Sequence, residues 1–424
     1  KTNKIDCLNA ANWLVEYLKS IGFKASAKKT SGNPIVLATA GEGSPHLLFY
    51  GHYDVQPVDP ISLWTSDPFK PIILDNKGQK IVKARGASDD KGQLLTFIEA
   101  CKGIINSEMS LPCKVTILIE GEEENGSTSL KPFIEKYKDL LKADCALICD
   151  TTMWNAKTPS ISTMLRGMVG EEVTITAAGK DLHSGMFGGV TINPIHMLSS
   201  IICSLHTNTG TVSIPNFYDG VNKIPVKLKK QWRKLEFSEE EFQNENLLTG
   251  IYGEEKFSTL EKLWARPTCD INGISGGYIE TGFKTIIPQT ASAKVSFRLV
   301  GSQDPEKIRK SFRNHVRERT HSGCQVSFEA KGGSKAIEVA LDSKHVKAGQ
   351  KALQDEWGSP AVLAGCGGSI PAVSYLKDIL KVDSLLIGFA LDDDQIHSPN
   401  EKYNISSFYK GTRSWARIIY QLIK

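Results

Sequence analysis

Three adjacent carboxylates, Glu122, Glu123 and Glu124, follow within two residues of the apolar, β-branched run Val115-Thr-Ile-Leu-Ile119. Such a run reads as a buried strand, and acids crowded at its mouth either push protons onto one another or require a cation. Taken alone, the triplet reads better as a solvated turn before Asn125-Gly126. Three other apolar runs also end on His or Asp: residues 45–50 empty into His52 and Asp54, residues 146–149 into Asp150, and residues 384–390 into Asp392, Asp393 and Asp394 and then His397. Asp89 and Asp90 stand in the Gly-flanked loop 85–92, at the start of a helical pattern, where free N–H groups favour an anion. Plain N-capping explains Asp90 better than Asp89. Collected, the strand ends supply His52, Asp89, Glu123 or Glu124, Asp150 and His397. Two imidazoles and several carboxylates without a thiolate suit a pair of zinc or manganese ions sharing a carboxylate. His52 and Asp54 are one residue apart, which in extended backbone puts both on the same side, so Asp54 can orient the imidazole.

The elements that must carry these residues alternate. Apolar spacing predicts helices over 7–21, from Leu94 through Ile105, over 127–141 and over 344–357, and a closing helix over 406–423. Between them lie the short apolar strands named above. This order predicts an α/β fold, a central, mostly parallel sheet flanked by helices with its site at the carboxyl ends of the strands. The pattern changes in the middle: 172–177, 293–300 and 325–329 alternate, and 193–206 and 305–319 are helical, which predicts an antiparallel sheet with helices on one face. Residues 213–269 show no clean period, and loops and short helices are expected there. The predicted organisation is one catalytic domain, 1–162 and 334–424, interrupted by an inserted α+β domain, 163–333.

A chain of 424 residues is long enough for two cores. Its formal charge of +4 gives no electrostatic case for nucleic acid, and no apolar run reaches the roughly 20 residues that span a bilayer. Nine cysteines, most of them inside apolar runs, read as reduced and buried, so a soluble, cytoplasmic protein is expected. The chain starts at Lys1 rather than Met, which leaves a removed leader open.

Gly51-His-Tyr-Asp-Val-Gln-Pro57, Ser88-Asp-Asp-Lys-Gly92, Glu123-Glu-Asn-Gly126, Leu182-His-Ser-Gly-Met-Phe-Gly-Gly189 and Ile396-His-Ser-Pro399 together resemble the dizinc aminoacylase and carboxypeptidase G family of metallopeptidases, and within it the carnosinase-like, cytosolic nonspecific dipeptidases. The resemblance runs over nearly the whole chain. It implies that His52 and Asp150 hold one metal, that Glu124 and His397 hold the other, and that Asp89 bridges them. Asp54 would brace His52, and Glu123 would be the general base for a metal-activated water. The inserted domain would be a lid and dimerisation domain whose His183 reaches the site of the other subunit of a homodimer. Arg298 would bind a substrate carboxylate, with Thr285, Gly368 and Ser369 as further substrate contacts. The implied cofactor is two divalent ions per chain, zinc first and manganese as the alternative.

The implied reaction is hydrolysis of the peptide bond of dipeptides or short peptides. Two residues depart from the family pattern, and the second bears on the reaction. Glu122 stands where relatives tend to carry an apolar residue and is assigned no role, and Cys366 stands just before Gly-Gly-Ser-Ile-Pro, where an acidic or polar residue is usual. The second keeps a rival open, an N-acyl-amino-acid deacylase on the same site. A third reading is an inert binding scaffold.

Overall fold

The computed structural model describes residues 4–76 and 78–424, which divide into two compact units. The first takes the described residues up to Thr163 together with Val339–Ala364 and Ile370–Lys424; the second takes Met164–Glu338 and Gly365–Ser369.

The first unit is built on a mixed sheet. Its four inner strands run parallel in the order Lys114–Glu120, His46–His52, Cys145–Ile148, Ser384–Leu386. They are covered on both faces, which is why they read as continuous apolar runs rather than alternating ones. Antiparallel strands extend the sheet, Ile35–Ala40 and Lys24–Lys28 on one side and Ser160–Leu165 on the other. Helices Lys91–Glu108 and Ile405–Leu422 meet over the sheet in an aromatic cluster. Phe49 stacks on Phe97 at 4.0 Å between centroids, and Trp415 stands edge-on to Phe49, Phe97 and Phe389. A small sheet in the order Lys402–Asn404, Gln79–Lys83, Ile72–Asn76 lies apart from the main one.

The second unit carries an antiparallel sheet in the order Thr268–Gly276, Thr290–Leu299, Gly167–Thr176, Gln325–Ser334. One face, with Val169, Val173, Ile175, Ala293, Val295, Phe297 and Leu299, is buried with residues of helices Pro194–Cys203 and Pro305–Arg319. A two-stranded ribbon, Leu182–His183 with Ile286–Ile287, belongs to the same unit. Residues 213–269 hold the short helices Val226–Trp232, Glu239–Glu245 and Thr259–Ala265.

The α/β sheet with a second antiparallel sheet is therefore as the sequence predicts, and several local expectations differ. The single helix over 127–141 is two, Leu130–Lys136 and Lys138–Leu141, broken at Tyr137, whose ψ of 23° leaves the helical range. The apolar spacing runs through the break, so periodicity could not see it. The strand over 384–390 keeps regular pairing only to Leu386. Beyond it Gly388 passes so close to Thr151 that a Cβ there would lie 1.7 Å from the Thr151 carbonyl oxygen. Among the described residues no helix is long and apolar enough to cross a membrane, and all nine cysteines are free.

Candidate metal centre and substrate loop

His52 closes the strand His46–His52, Asp150 lies two residues past Cys145–Ile148, and the acidic triplet follows Lys114–Glu120. The three sites stand at the carboxyl ends of adjacent parallel strands, where an open α/β sheet places its ligands. Asp89 comes from the loop before helix Lys91–Glu108, and His397 from the segment after Ser384–Leu386, with its backbone at φ 63°. His52 Nε2 lies 3.0 Å from Asp89 Oδ1, and His397 Nε2 lies 2.9 Å from Asp89 Oδ2 and 3.3 Å from Glu124 Oε2. One aspartate thus faces an imidazole with each of its oxygens. Ligand atoms of His52, Asp89 and Asp150 fall within 4.8 Å of one another, and so do those of Asp89, Glu124 and His397. Asp89 is common to both groups.

Asp54 does two jobs. Its Oδ1 lies 3.3 Å from His52 Nδ1, and its two oxygens accept from the backbone N–H groups of Glu123 and Glu124 at 3.3 and 3.1 Å. It therefore ties the histidine to the acidic turn. Gln56 Nε2 donates to Glu124 Oε2 at 2.6 Å, while Glu124 Oε1 is buried without a partner.

Electrostatics mark the place as one that wants cations. Burial pushes the Asp150 carboxyl well above the usual range, and Asp90 and Asp89 add to it. Burial likewise, with Glu124 and Asp89 adding and His52 opposing, pushes Glu123 up to about 7. Burial works against the charged form of Asp89 too, but hydrogen bonds from His397 and His52 outweigh it and hold that carboxyl well below the ordinary value. Hydrogen bonds to Asp89 and Glu124 raise His397 to about 10. The donor set, the shared aspartate and the unpartnered Glu124 oxygen all fit two divalent ions.

The surrounding residues were not legible as functional. Glu401, fully buried, accepts from Arg85 Nη1 and Gly86 N on one oxygen and from Ser88 N and Asp89 N on the other, all at 2.8–2.9 Å. It holds the loop that presents Asp89, 312 residues away in sequence. No period or motif announces such a contact. Asp394, from the acidic run before His397, accepts from Ser88 Oγ at 2.9 Å and pairs with Lys402 Nζ at 2.6 Å. Two sequence readings need changing. Asp90 occupies the N-cap position, but its side chain caps nothing and instead accepts from His52 N at 3.2 Å. Glu122, left without a role, closes a loop: its carboxylate accepts from Asn33 N and Ser129 N at 3.3 and 3.0 Å, and it fills the space a Cβ at Gly32 would need.

In the second unit, His183 lies in the ribbon and Thr285 directly precedes its second strand, where Ser184 N donates to Thr285 O at 3.0 Å. His183 is exposed, and its Nδ1 accepts from Gly185 N at 3.0 Å. Arg298, Gly368 and Ser369 come together elsewhere in that unit, with Arg298 Nη1 3.0 Å from Ser369 Oγ and Gly368 O accepting from Arg166 N at 3.2 Å.

Residues 48–421 match the model of peptidase family M20/M25/M40, and the chain belongs to that family. It is 31% identical over 397 residues to the Cys-Gly metallodipeptidase dug1 of Schizosaccharomyces pombe, covering 92% of this chain and 83% of that one. It is 29% identical over 396 residues to the Beta-Ala-His dipeptidase of Homo sapiens, covering 92% and 77%. A solved relative, the metallo-carboxypeptidase Sso-CP2 of Sulfolobus solfataricus, superposes with a TM-score of 0.89 at 32% identity over 98% of this chain and 94% of that one.

Proposed function

We propose that the chain is a dinuclear metallopeptidase that hydrolyses dipeptides or short peptides. The observation that carries this reading is the Asp89 carboxylate, held between His52 and His397 at 3.0 and 2.9 Å with Glu124 and Asp150 alongside. His52 and Asp150 would hold one ion and Glu124 and His397 the other, with Asp89 common to both groups; zinc is the proposed metal and manganese the alternative. When bound, the ions polarise a peptide carbonyl and acidify water. Glu123 takes the proton from the attacking water and returns it to the leaving amine. Asp54 keeps the His52 ring and the Glu123 backbone in place.

Arg298 receives the substrate carboxylate, with Thr285, Gly368 and Ser369 as further contacts. The active unit is a homodimer formed by the inserted domain, in which His183 serves the partner's site. Large apolar side chains exposed in this unit support such an interface: Val190 is 83% exposed, Ile279 83% and Phe283 92%. A cytoplasmic location is supported by the nine free cysteines.

Cys366 favours one rival, cleavage of N-acyl amino acids, because a thiol in the substrate loop offers an α-ammonium no counter-charge. Turnover of a dipeptide panel and an N-acyl-amino-acid panel, before and after chelator and with zinc or manganese restored, tests the proposal. Dipeptide cleavage lost to chelator and regained with metal is expected. Turnover of the acyl panel alone establishes the rival, and turnover untouched by complete metal removal refutes both.

A further inference from the structure

Arg166 lies at the join between strands Ser160–Leu165 and Gly167–Thr176, and no motif singles it out. Its side chain and backbone nevertheless hold Gly367, Gly368 and Ser369. Arg166 Nε donates to Gly367 O at 2.9 Å, Arg166 N donates to Gly368 O at 3.2 Å, and Ser369 Oγ donates to Arg166 O. The guanidinium also fills the space beside Gly367, where a Cβ would come 3.0 Å from Nη2. With its only proton committed to Arg166 O, the Ser369 hydroxyl can only accept from Arg298, which it does at 3.0 Å. A continuous path runs from Arg166 through Ser369 to Arg298.

Charge points the same way. Burial and then the Arg298 charge push Arg166 down to about 10, opposed by Cys366 and by Asp270; that carboxylate is exposed and already accepts from Thr268 Oγ1 at 2.8 Å. Two guanidinium groups thus share one small region with no ion-pair partner among the described residues, an arrangement that awaits an anion. We propose that Arg166 is a positioning residue for the substrate carboxylate, clamping the Gly-rich segment so that the Ser369 hydroxyl fixes the Arg298 fork with its remaining N–H groups free for a carboxylate. This rests on the peptidase reading and adds to it a residue that does not itself touch substrate.

The test uses the metal-loaded full chain and the panel dipeptide with the highest kcat/KM. Arg166→Met is expected to raise KM about tenfold or more with kcat within about threefold, the signature of lost ground-state and transition-state binding together. Arg166→Lys keeps the charge but lacks the planar fork, so its KM rises as well. If Arg166→Met does not fold, the lysine variant alone decides. Ser369→Ala is expected to raise KM by a similar factor, and the double variant no further, since the Arg166 side chain acts only by holding, through Gly367 O, the segment that presents Ser369. Additive effects, a wild-type KM in Arg166→Lys, or a fall in kcat at constant KM would overturn the inference. The unsubstituted chain is assayed first: no turnover on any panel member overturns the peptidase reading and this inference with it, whereas turnover with KM unchanged in the variants overturns this inference alone.

Discussion

Replacement of Glu401 by glutamine is expected to weaken both the fold of the first unit and its hold on metal. Each oxygen of Glu401 accepts two hydrogen bonds, so whichever oxygen becomes the amide nitrogen leaves two donors without an acceptor and sets N–H against N–H. Arg85, whose guanidinium is as buried as the carboxylate, loses its counter-charge. Removing one member of a buried pair costs about 3–5 kcal/mol, and the stranded backbone donors fall within that figure because the losses overlap. For a unit of this size roughly 2–4 °C of Tm is lost per kcal/mol, so a fall of roughly 6–20 °C is expected with the chain still folded at 25 °C. The loop carrying Asp89 loses two of its fixed N–H groups, so metal content after dialysis against a weak chelator should fall as well. The assay pairs thermal unfolding followed by tryptophan fluorescence with metal analysis of the dialysed protein. A Glu401→Gln protein with unchanged Tm and full metal content would refute the reasoning.

Glu123→Gln is expected to abolish turnover with metal content near normal, because the amide keeps the shape but cannot take a proton, while Glu124→Gln should lose part of the metal; reversed phenotypes would show the register of the acidic triplet to be off by one. Mixing inactive Glu123→Ala and His183→Ala proteins should restore activity in hybrid dimers if His183 works in the partner's site, and verified subunit exchange without activity would refute that role. His315 supplies a pH dependence. Burial and then Arg319 lower its pKa below the ordinary 6.5, and its Nε2 lies 2.8 Å from Ser204 Oγ. The stability it contributes is complete above 6.5 and is lost as pH falls from there toward the lower folded-state value, since the unfolded chain takes up the proton first. Tm measured from pH 7.5 to 5 should therefore fall less steeply in His315→Gln, and parallel curves would show that this histidine carries no linkage.

Much of the fold was legible because the four inner strands are buried on both faces and each empties into a titratable residue. His52, Glu123 or Glu124, Asp150 and His397 could be gathered from those strand ends and Asp89 from the Gly-flanked loop, the choice of Glu124 resting on the family resemblance, and the structure brings ligand atoms of His52, Asp89, Glu124, Asp150 and His397 together in two groups that share Asp89. What the sequence hid was whatever depends on distant partners. The strand Lys24–Lys28 lies at the edge of the sheet and is only partly buried, so it carries weak periodicity. Glu401 and Arg166 look like ordinary charged residues until the chain returns to them from far away, and the capping reading of Asp90 was overridden by the His52 backbone 38 residues earlier.

The place of Ser384–Leu386 in the sheet, between Cys145–Ile148 and Ser160–Leu165, has a consequence for how the protein is made. On the ribosome, everything up to residue 165 emerges while the strand that belongs inside that sheet is still about 220 residues away. At ~5–20 residues per second the gap stays open for roughly 10–40 s. Throughout that interval the edge of Cys145–Ile148, all of whose residues are buried in the finished sheet, has no partner on one side. His397 and Glu401 arrive later still, so a chain that stops short of them can neither complete the metal centre nor lock its Asp89 loop. The nascent protein thus lacks a complete metal centre until Glu401 has emerged, and it exposes an unpaired sheet edge meanwhile.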